Sequence, residues 1–122
     1  MIFNLYREQK IYSKLEDVFA FFEKVENLEK ITPPWLQFKI ISNRPYIVKE
    51  NSEFEYTIKI LGIRVKWKSI ISEYNPPYKF VDTQIKGPYK KWVHSHIFKE
   101  FPDFILMIDL VEYELYGGFY HL

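Results

Sequence analysis

Apolar and polar residues alternate along most of the chain, and this alternation predicts strands. The first run, IFNLYREQKI, predicts a short edge strand. Six further strands are predicted at roughly Gln37–Asn43, Glu53–Ile60, Arg64–Tyr74, Phe80–Lys86, Lys91–Lys99 and Phe104–Tyr113. Turn residues separate these strands at Asn43–Pro45, Leu61–Ile63, Asn75–Pro77 and Gly87–Pro88. The second part of the chain is therefore predicted to be an antiparallel meander.

A single amphipathic helix is predicted between the first strand and the meander. Apolar residues recur at spacings of three and four, at Leu15, Val18, Phe19, Phe22, Val25 and Leu28. This pattern predicts a helix of about four turns, with Ser13 or a neighbour as its cap. The following segment, ITPPW, cannot continue the helix because Pro33 and Pro34 lack an amide donor. We expect a loop there, with Trp35 anchored inward.

Composition narrows the range of functions. The 122 residues are enough for a single domain over residues 1–122, and the aromatic fraction of 20% indicates a bulky interior or a lined cavity. A net charge of +1 without a dense basic run argues against nucleic acid as a partner. The absence of cysteine excludes disulfides and thiolate chemistry. Without a signal-peptide core or a run of ~18 apolar residues, we expect a cytoplasmic protein with no membrane span.

Strand alternation gathers the unusual polar residues on one face. His94 and His96 share a face with Trp92, and an odd number of turn residues would place Asp82 opposite His94 and Gln84 opposite Trp92. The same parity extended to neighbouring strands predicts an aromatic inner face with a few polar groups, which is typical of a small-molecule pocket. The predicted ligand-binding residues are Tyr56, Trp67, Phe80, Asp82, Gln84, Trp92, His94, His96, Asp109 and Tyr113.

The two histidines allow several interpretations. Together with Asp82 or Asp109 they contain metal-ligand types, but H-x-H alone is a weak signal, so we expect neither a metal nor a cofactor. Asp82 and His94 are the candidate catalytic pair, in which the carboxylate would hold the imidazole tautomer. A hydrogen-bonded network that only stabilises the sheet is the simpler interpretation. No Ser or Cys nucleophile accompanies these residues at a recognisable spacing, so covalent catalysis has no support.

Three segments, ITPPWLQFKI, FVDTQIKGPYKKWVHSHIF and DLVEYEL, resemble in order and spacing the START-like (SRPBCC) superfamily, within it the ligand-binding or polyketide-cyclase-like group. The most specific pattern is F-x-D-x-Q-x-x-G-P-[FY]-x-x-W-x-H-x-H. It maps onto Phe80, Asp82, Gln84, Gly87, Pro88, Tyr89, Trp92, His94 and His96. One departure is Ile105, which stands where the group commonly has Thr.

The resemblance implies an α+β helix-grip fold. In that fold a curved antiparallel sheet, here of six to seven strands after an N-terminal helical segment, wraps a long C-terminal helix and encloses a hydrophobic cavity. Members bind lipids, quinones or polyketides, and a minority catalyse cyclisation or dehydration. We therefore predict binding of a small hydrophobic or aromatic molecule on the concave face, with a cyclase or dehydratase as the alternative. Because the chain ends at Leu122, we expect the gripping helix to be missing, and a homo-oligomer covering the sheet is a further alternative.

Overall fold

The computed structural model describes residues 1–27, 34–42 and 46–116. Its elements are β1 (Ile2–Ile11), α1 (Leu15–Glu23), a 3-10 turn (Pro34–Leu36), β2 (Lys39–Ile40), β3 (Glu53–Ile60), β4 (Ile63–Asn75), β5 (Lys79–Lys86), β6 (Lys91–Glu100) and β7 (Ile105–Glu114). The predicted bounds of β3 are confirmed, and those of β4 to β7 agree to within one residue at each end. The predicted turn Asn43–Pro45 lies outside the described residues.

All seven strands form one curved antiparallel sheet in the order β1-β7-β6-β5-β4-β3-β2. Strands β2 to β7 pair in chain order, and β1 returns to pair with β7 over its whole length, from Ile2↔Glu114 to Ile11↔Ile105. The predicted α+β class, the meander and the edge position of the first strand are confirmed. In contrast, β2 has only two residues, so the longer predicted strand Gln37–Asn43 was wrong in extent.

Helix α1 is shorter than its apolar pattern predicts. Lys14 is its cap residue and makes no side-chain capping bond, while Lys24 is already extended at the other end. The Asn27 side chain donates a hydrogen bond of 2.8 Å to the Phe21 carbonyl, and so satisfies an acceptor that a longer helix would have bonded with its own backbone. The prediction of one helix of about four turns was therefore wrong, because α1 ends before Lys24, although Leu15, Val18 and Phe19 form the buried face as expected. The predicted position of Leu28 lies outside the described residues.

The core lies between α1 and one end of the concave face. The Phe19 ring packs edge-on against Phe98 and Phe80, with centroids 5.3 Å and 5.7 Å away. The buried cluster comprises Leu15, Val18, Phe19, Val25, Phe54, Ile71, Phe80, Phe98, Ile105 and Met107. Within the described chain, α1 meets the sheet only at this end, which leaves the centre and the opposite end of the concave face for other side chains.

Trp35 does not anchor the segment before β2. Its side chain is 75% exposed, on a single 3-10 turn closed by a bond of 3.1 Å from the Gln37 amide to the Pro34 carbonyl. Gln37 then takes a positive φ of 45°, which redirects the chain so that Phe38 packs on Tyr56 at 4.7 Å. The expectation for Trp35 was wrong because one tight turn decides which ring points inward.

The helices are short. In the part of the chain that the structure describes, none is long and apolar enough to cross a bilayer.

Candidate ligand-binding site

Four polar side chains meet at the centre of the concave face, and we refer to Asp82, His94, His96 and Asp109 as the polar quartet. Asp82 lies on β5, the histidines on β6 and Asp109 on β7, so three adjacent strands hold the group together. Because side chains alternate along a strand, residues 94 and 96 point to the same face as their partners across the ladder. The predicted position of all four residues on one face is confirmed.

Hydrogen bonds within the polar quartet run diagonally between strands. Asp82 is opposite His94 in the ladder, as predicted, and Asp109 is opposite His96. Nevertheless His96 Nε2 donates to Asp82 Oδ2 at 2.6 Å, and His94 Nε2 lies 2.8 Å from Asp109 Oδ1. The directly facing pairs are longer, at 3.9 Å from His94 Nδ1 to Asp82 and 3.7 Å from His96 Nδ1 to Asp109. The carboxyl partner of His94 is therefore Asp109 and not Asp82.

The two imidazoles of the polar quartet have different surroundings. Their rings stack with centroids 3.8 Å apart, and Phe80 stacks on the other face of His96 at 4.1 Å. Burial and the charge of His94 hold the pKa of His96 below its usual value, despite the bond to Asp82. Burial also lowers the pKa of His94, but the bond to Asp109 and the nearby carboxylates outweigh it and raise the pKa overall. His94 is thus the ring that takes up a proton more readily.

Asp82 is the buried acceptor of the group. Burial by itself raises the pKa of its carboxyl, yet the hydrogen bond from His96 and the charges of both histidines leave that pKa below its ordinary value. The quartet therefore keeps an ionised carboxylate at neutral pH in hydrogen-bond contact with His96. Such an arrangement can accept hydrogen bonds, orient a polar ligand group or receive a proton.

Five aromatic side chains continue the concave face beyond the polar quartet, and we refer to them as the aromatic cluster: Tyr56, Trp67, Tyr89, Trp92 and Tyr113. Trp92 is its centre, with ring centroids 4.7 Å from Tyr89, 5.3 Å from Trp67 and 6.0 Å from Tyr113. Trp92 also lies edge-on to His94 at 6.4 Å, so the cluster and the quartet are contiguous. Trp67 is 6% exposed, and its indole Nε1 has no hydrogen-bond partner in the described residues.

Phe80 and Gln84, both predicted to contact a ligand, have structural partners here. Phe80 is 5% exposed and connects His96 to the core. Gln84 Nε2 donates to the Tyr89 carbonyl at 2.7 Å, and the Tyr89 amide donates back to Gln84 Oε1 at 3.2 Å. Gln84 therefore holds the β5–β6 loop closed and positions Tyr89 in the aromatic cluster.

A separate groove of about 270 Å³ runs between the end of β1 and α1. Its lining residues are Ile11, Ser13, Asp17, Val18, Phe21 and Phe22. It shares no residue with the polar quartet or the aromatic cluster, and Asp17 is the single ionisable side chain among these lining residues. The groove lacks the convergent polar groups of the concave face.

Residues 13–120 match the sequence profile of the family described as polyketide cyclase / dehydrase and lipid transport. The chain belongs to this family. The match covers both the helix and the whole meander, including every residue of the polar quartet. No curated protein matches the sequence significantly.

Solved structures with the same fold include proteins of different origin. A major latex-like protein from Panax ginseng is 17% identical, with a TM-score of 0.71 over 95% of this chain and 81% of its own. A START superfamily protein from Mycobacterium smegmatis is 12% identical, with a TM-score of 0.69 over 94% and 79%. The di-domain ARO/CYC StfQ of the steffimycin biosynthetic pathway is 11% identical, with a TM-score of 0.72 over 96% and 38%. These identities establish the common fold alone.

Two residues of the site were not predicted from the sequence. Tyr89 belongs to the aromatic cluster, and its signal was the aromatic position of the G-P-[FY] pattern. Phe3 on β1 stacks on Tyr113 with centroids 5.4 Å apart, although it is remote from the cluster in sequence. Only the pairing of β1 with β7 brings these two rings together, and strand alternation within one segment could not reveal it.

Proposed function

We propose that this family member binds a small hydrophobic or aromatic molecule, such as a lipid, quinone or polyketide, on the concave face of its sheet. The observation that carries the proposal is the direct contact between the aromatic cluster and the polar quartet. The cluster offers stacking surfaces to a ring or chain, and the quartet offers hydrogen-bonding groups to its polar end. The side chains of His94 and Asp109 are 22% and 28% exposed, so a ligand can reach them.

Aromatic substitution tests this proposal. Tyr113→Ala removes a ring of the aromatic cluster, whereas Tyr12→Ala removes a ring that is 75% exposed and packs only loosely on Phe104 at 6.3 Å. Binding would be measured by native mass spectrometry and by displacement of a fluorescent probe, across lipid, quinone and polycyclic polyketide panels. We expect Tyr113→Ala to weaken binding about tenfold, or ~1.4 kcal/mol, and Tyr12→Ala to leave it unchanged. No binding by the wild type, or equal losses in both variants, would contradict the proposal.

A second candidate is a cyclase or dehydratase. His94 favours it because one ring nitrogen is held by Asp109 at 2.8 Å while the ring remains partly exposed to a ligand. The structure thus supports an Asp109–His94 pair in place of the Asp82–His94 pair expected from the sequence. For any ligand found in the panels, turnover would be followed by absorbance. His94→Gln should then abolish turnover with nearly unchanged affinity, whereas equal loss of both would favour binding alone.

Other expectations from the sequence stay predictions. A homo-oligomer whose second copy covers the concave face would appear in sedimentation velocity at several concentrations, and a concentration-independent monomer would contradict it. The cytoplasmic location, the absence of nucleic-acid partners and the single-domain organisation also stay predictions.

A further inference from the structure

The polar quartet contains the donor set of a transition-metal site, and we propose that Asp82, His94 and His96 bind a divalent ion of the Zn²⁺ type. One ligand atom from each of these residues lies within 4.8 Å of the other two. Two imidazoles and one carboxylate suit Zn²⁺, Fe²⁺ and Ni²⁺. The ion and the hydrophobic ligand proposed above would share these side chains, but neither proposal requires the other.

The existing distances are close to those that a metal ion needs. Tetrahedral ligands at about 2.1 Å from an ion are roughly 3.4 Å from one another. Asp82 Oδ2 lies 3.9 Å from His94 Nδ1 and 2.6 Å from His96 Nε2. These two separations therefore change by less than about 1 Å on binding, and the two imidazole ligand atoms lie within 4.8 Å of each other. The stacked rings, now inclined by 23°, must also splay apart, and His94, with a side chain 22% exposed, is the less buried of the two rings.

Asp109 orients His94 for this role. Metal-binding histidines usually donate their second ring N–H to a carboxylate or carbonyl, which selects the tautomer and fixes the ring. His94 Nε2 lies 2.8 Å from Asp109 Oδ1, and a proton on this nitrogen leaves the Nδ1 lone pair on the side of Asp82. Asp109 thus holds the His94 ring in place by a hydrogen bond and does not bind the ion itself.

A second observation supports the metal site independently: one ring nitrogen of His96 is buried without a hydrogen-bond partner in the described residues. His96 is 7% exposed, and its Nδ1 atom makes no hydrogen bond in the described residues. When Nε2 donates to Asp82, Nδ1 carries a lone pair that faces Asp109 Oδ1, also an acceptor, at 3.7 Å. An ion on Nε2 displaces that proton, and the tautomer with the proton on Nδ1 then presents a donor to Asp109. Metal binding therefore converts an unfavourable contact of two acceptors into a favourable one.

Calorimetric titration of tag-free protein with Zn²⁺ alone tests the site. We expect the wild type to bind one equivalent of Zn²⁺. Asp109→Asn should lower the Zn²⁺ affinity about 10–100-fold, which is usual when a carboxylate that hydrogen-bonds a metal-binding histidine is lost. His94→Gln and Asp82→Asn should each lose more than Asp109→Asn. His121→Gln is the matched control, because it removes the third histidine of the sequence and should leave the affinity unchanged. Equal Zn²⁺ affinity in the wild type and His94→Gln would overturn the proposal.

If a variant fails to fold, NMR of the imidazole groups in the wild-type protein still tests the site. In long-range ¹H–¹⁵N spectra, saturating Zn²⁺ should move the His96 proton from Nε2 to Nδ1 and leave the His94 proton on Nε2. Unchanged spectra of both rings would refute the site. Since no organic ligand is present in either experiment, a failure here leaves hydrophobic binding untouched, and a failure of the ligand panels leaves the metal site untouched.

Discussion

The β5–β6 loop depends on the absence of a side chain at position 87, and Gly87→Ala tests how that loop supports the site. A Cβ at Gly87 would overlap Gln84 Oε1 and would lie 2.7 Å from Gln84 Cδ. Contacts of this kind require displacement of one partner. The Gln84 amide cannot move freely, because both of its polar atoms bond to the Tyr89 backbone. The added methyl group therefore competes directly with the two bonds that close the loop.

The cost of Gly87→Ala follows from those two hydrogen bonds. A typical bond contributes about 0.5–1.5 kcal/mol, so loss of both corresponds to about 1–3 kcal/mol of unfolding free energy. Gln84→Ala should lose a similar amount, because it removes the same two bonds. The double variant should then be no less stable than Gln84→Ala alone, since the methyl group no longer meets the amide. A positive coupling energy of about 1–3 kcal/mol is expected between the two positions.

Urea unfolding of the four proteins, followed by circular dichroism and by tryptophan fluorescence, measures this coupling. Gly62→Ala provides the matched control, because Gly62 has a φ of +80° and nothing within 4 Å of its added Cβ. It should lose about 1 kcal/mol through backbone strain alone, by the same amount in the wild type and in the Gln84→Ala background. Additive effects of Gly87→Ala and Gln84→Ala would refute the steric explanation.

Three further predictions concern the core, a tyrosine and an exposed ring. Phe98→Ala should destabilise the fold by about 3–5 kcal/mol in urea unfolding, because Phe98 is 1% exposed and packs on Phe19 of α1. Tyr74→Phe should lower the unfolding free energy by about 1 kcal/mol at pH 8, because it removes the hydrogen bond of 2.7 Å to Glu23. Burial and that bond raise the pKa of Tyr74 to about 12, so the wild-type advantage in urea midpoint should shrink as the pH rises from 10 to 12, and a constant advantage would contradict this reasoning. Trp35→Ala should change the unfolding free energy by less than about 0.5 kcal/mol, since the ring is 75% exposed, and a larger loss in the same assay would reveal a buried role.

Strand alternation predicted most of the sheet because long strands repeat their pattern many times. Over β3 to β7 each strand has eight residues or more, so an error of one residue at an end leaves the inner face unchanged. The segment from Lys24 to Ile40 was less predictable. One side-chain bond from Asn27 and one positive φ at Gln37 redirect the chain there. Neither feature has a periodic signature, and the turn at Gln37 brings Phe38 rather than Trp35 onto the sheet.

The composition of the site was predictable, but its hydrogen bonding was not. Parity placed Asp82 and His94 on one face and opposite each other, as the ladder confirms. Each carboxylate could bond either the imidazole directly opposite or the diagonal one. Which of the two it bonds depends on side-chain rotamers and on the position of β7, and strand alternation gives no information on either. For this reason the sequence suggested an Asp82–His94 pair, whereas the structure bonds Asp82 to His96 and Asp109 to His94.

The polar quartet is difficult to explain as a device for stability alone. Phe80 and Phe98 show that the same face of β5 and β6 accommodates buried aromatic rings a single step away. Buried ionic groups usually add less stability than apolar residues of similar size, because desolvation offsets their attraction. The quartet nevertheless leaves His96 Nδ1 buried without a hydrogen bond within the described chain. The members of the quartet thus leave one of their own polar atoms without a hydrogen bond, and they lie on an aromatic face that a ligand can reach. Ligand binding explains this arrangement better than folding stability does.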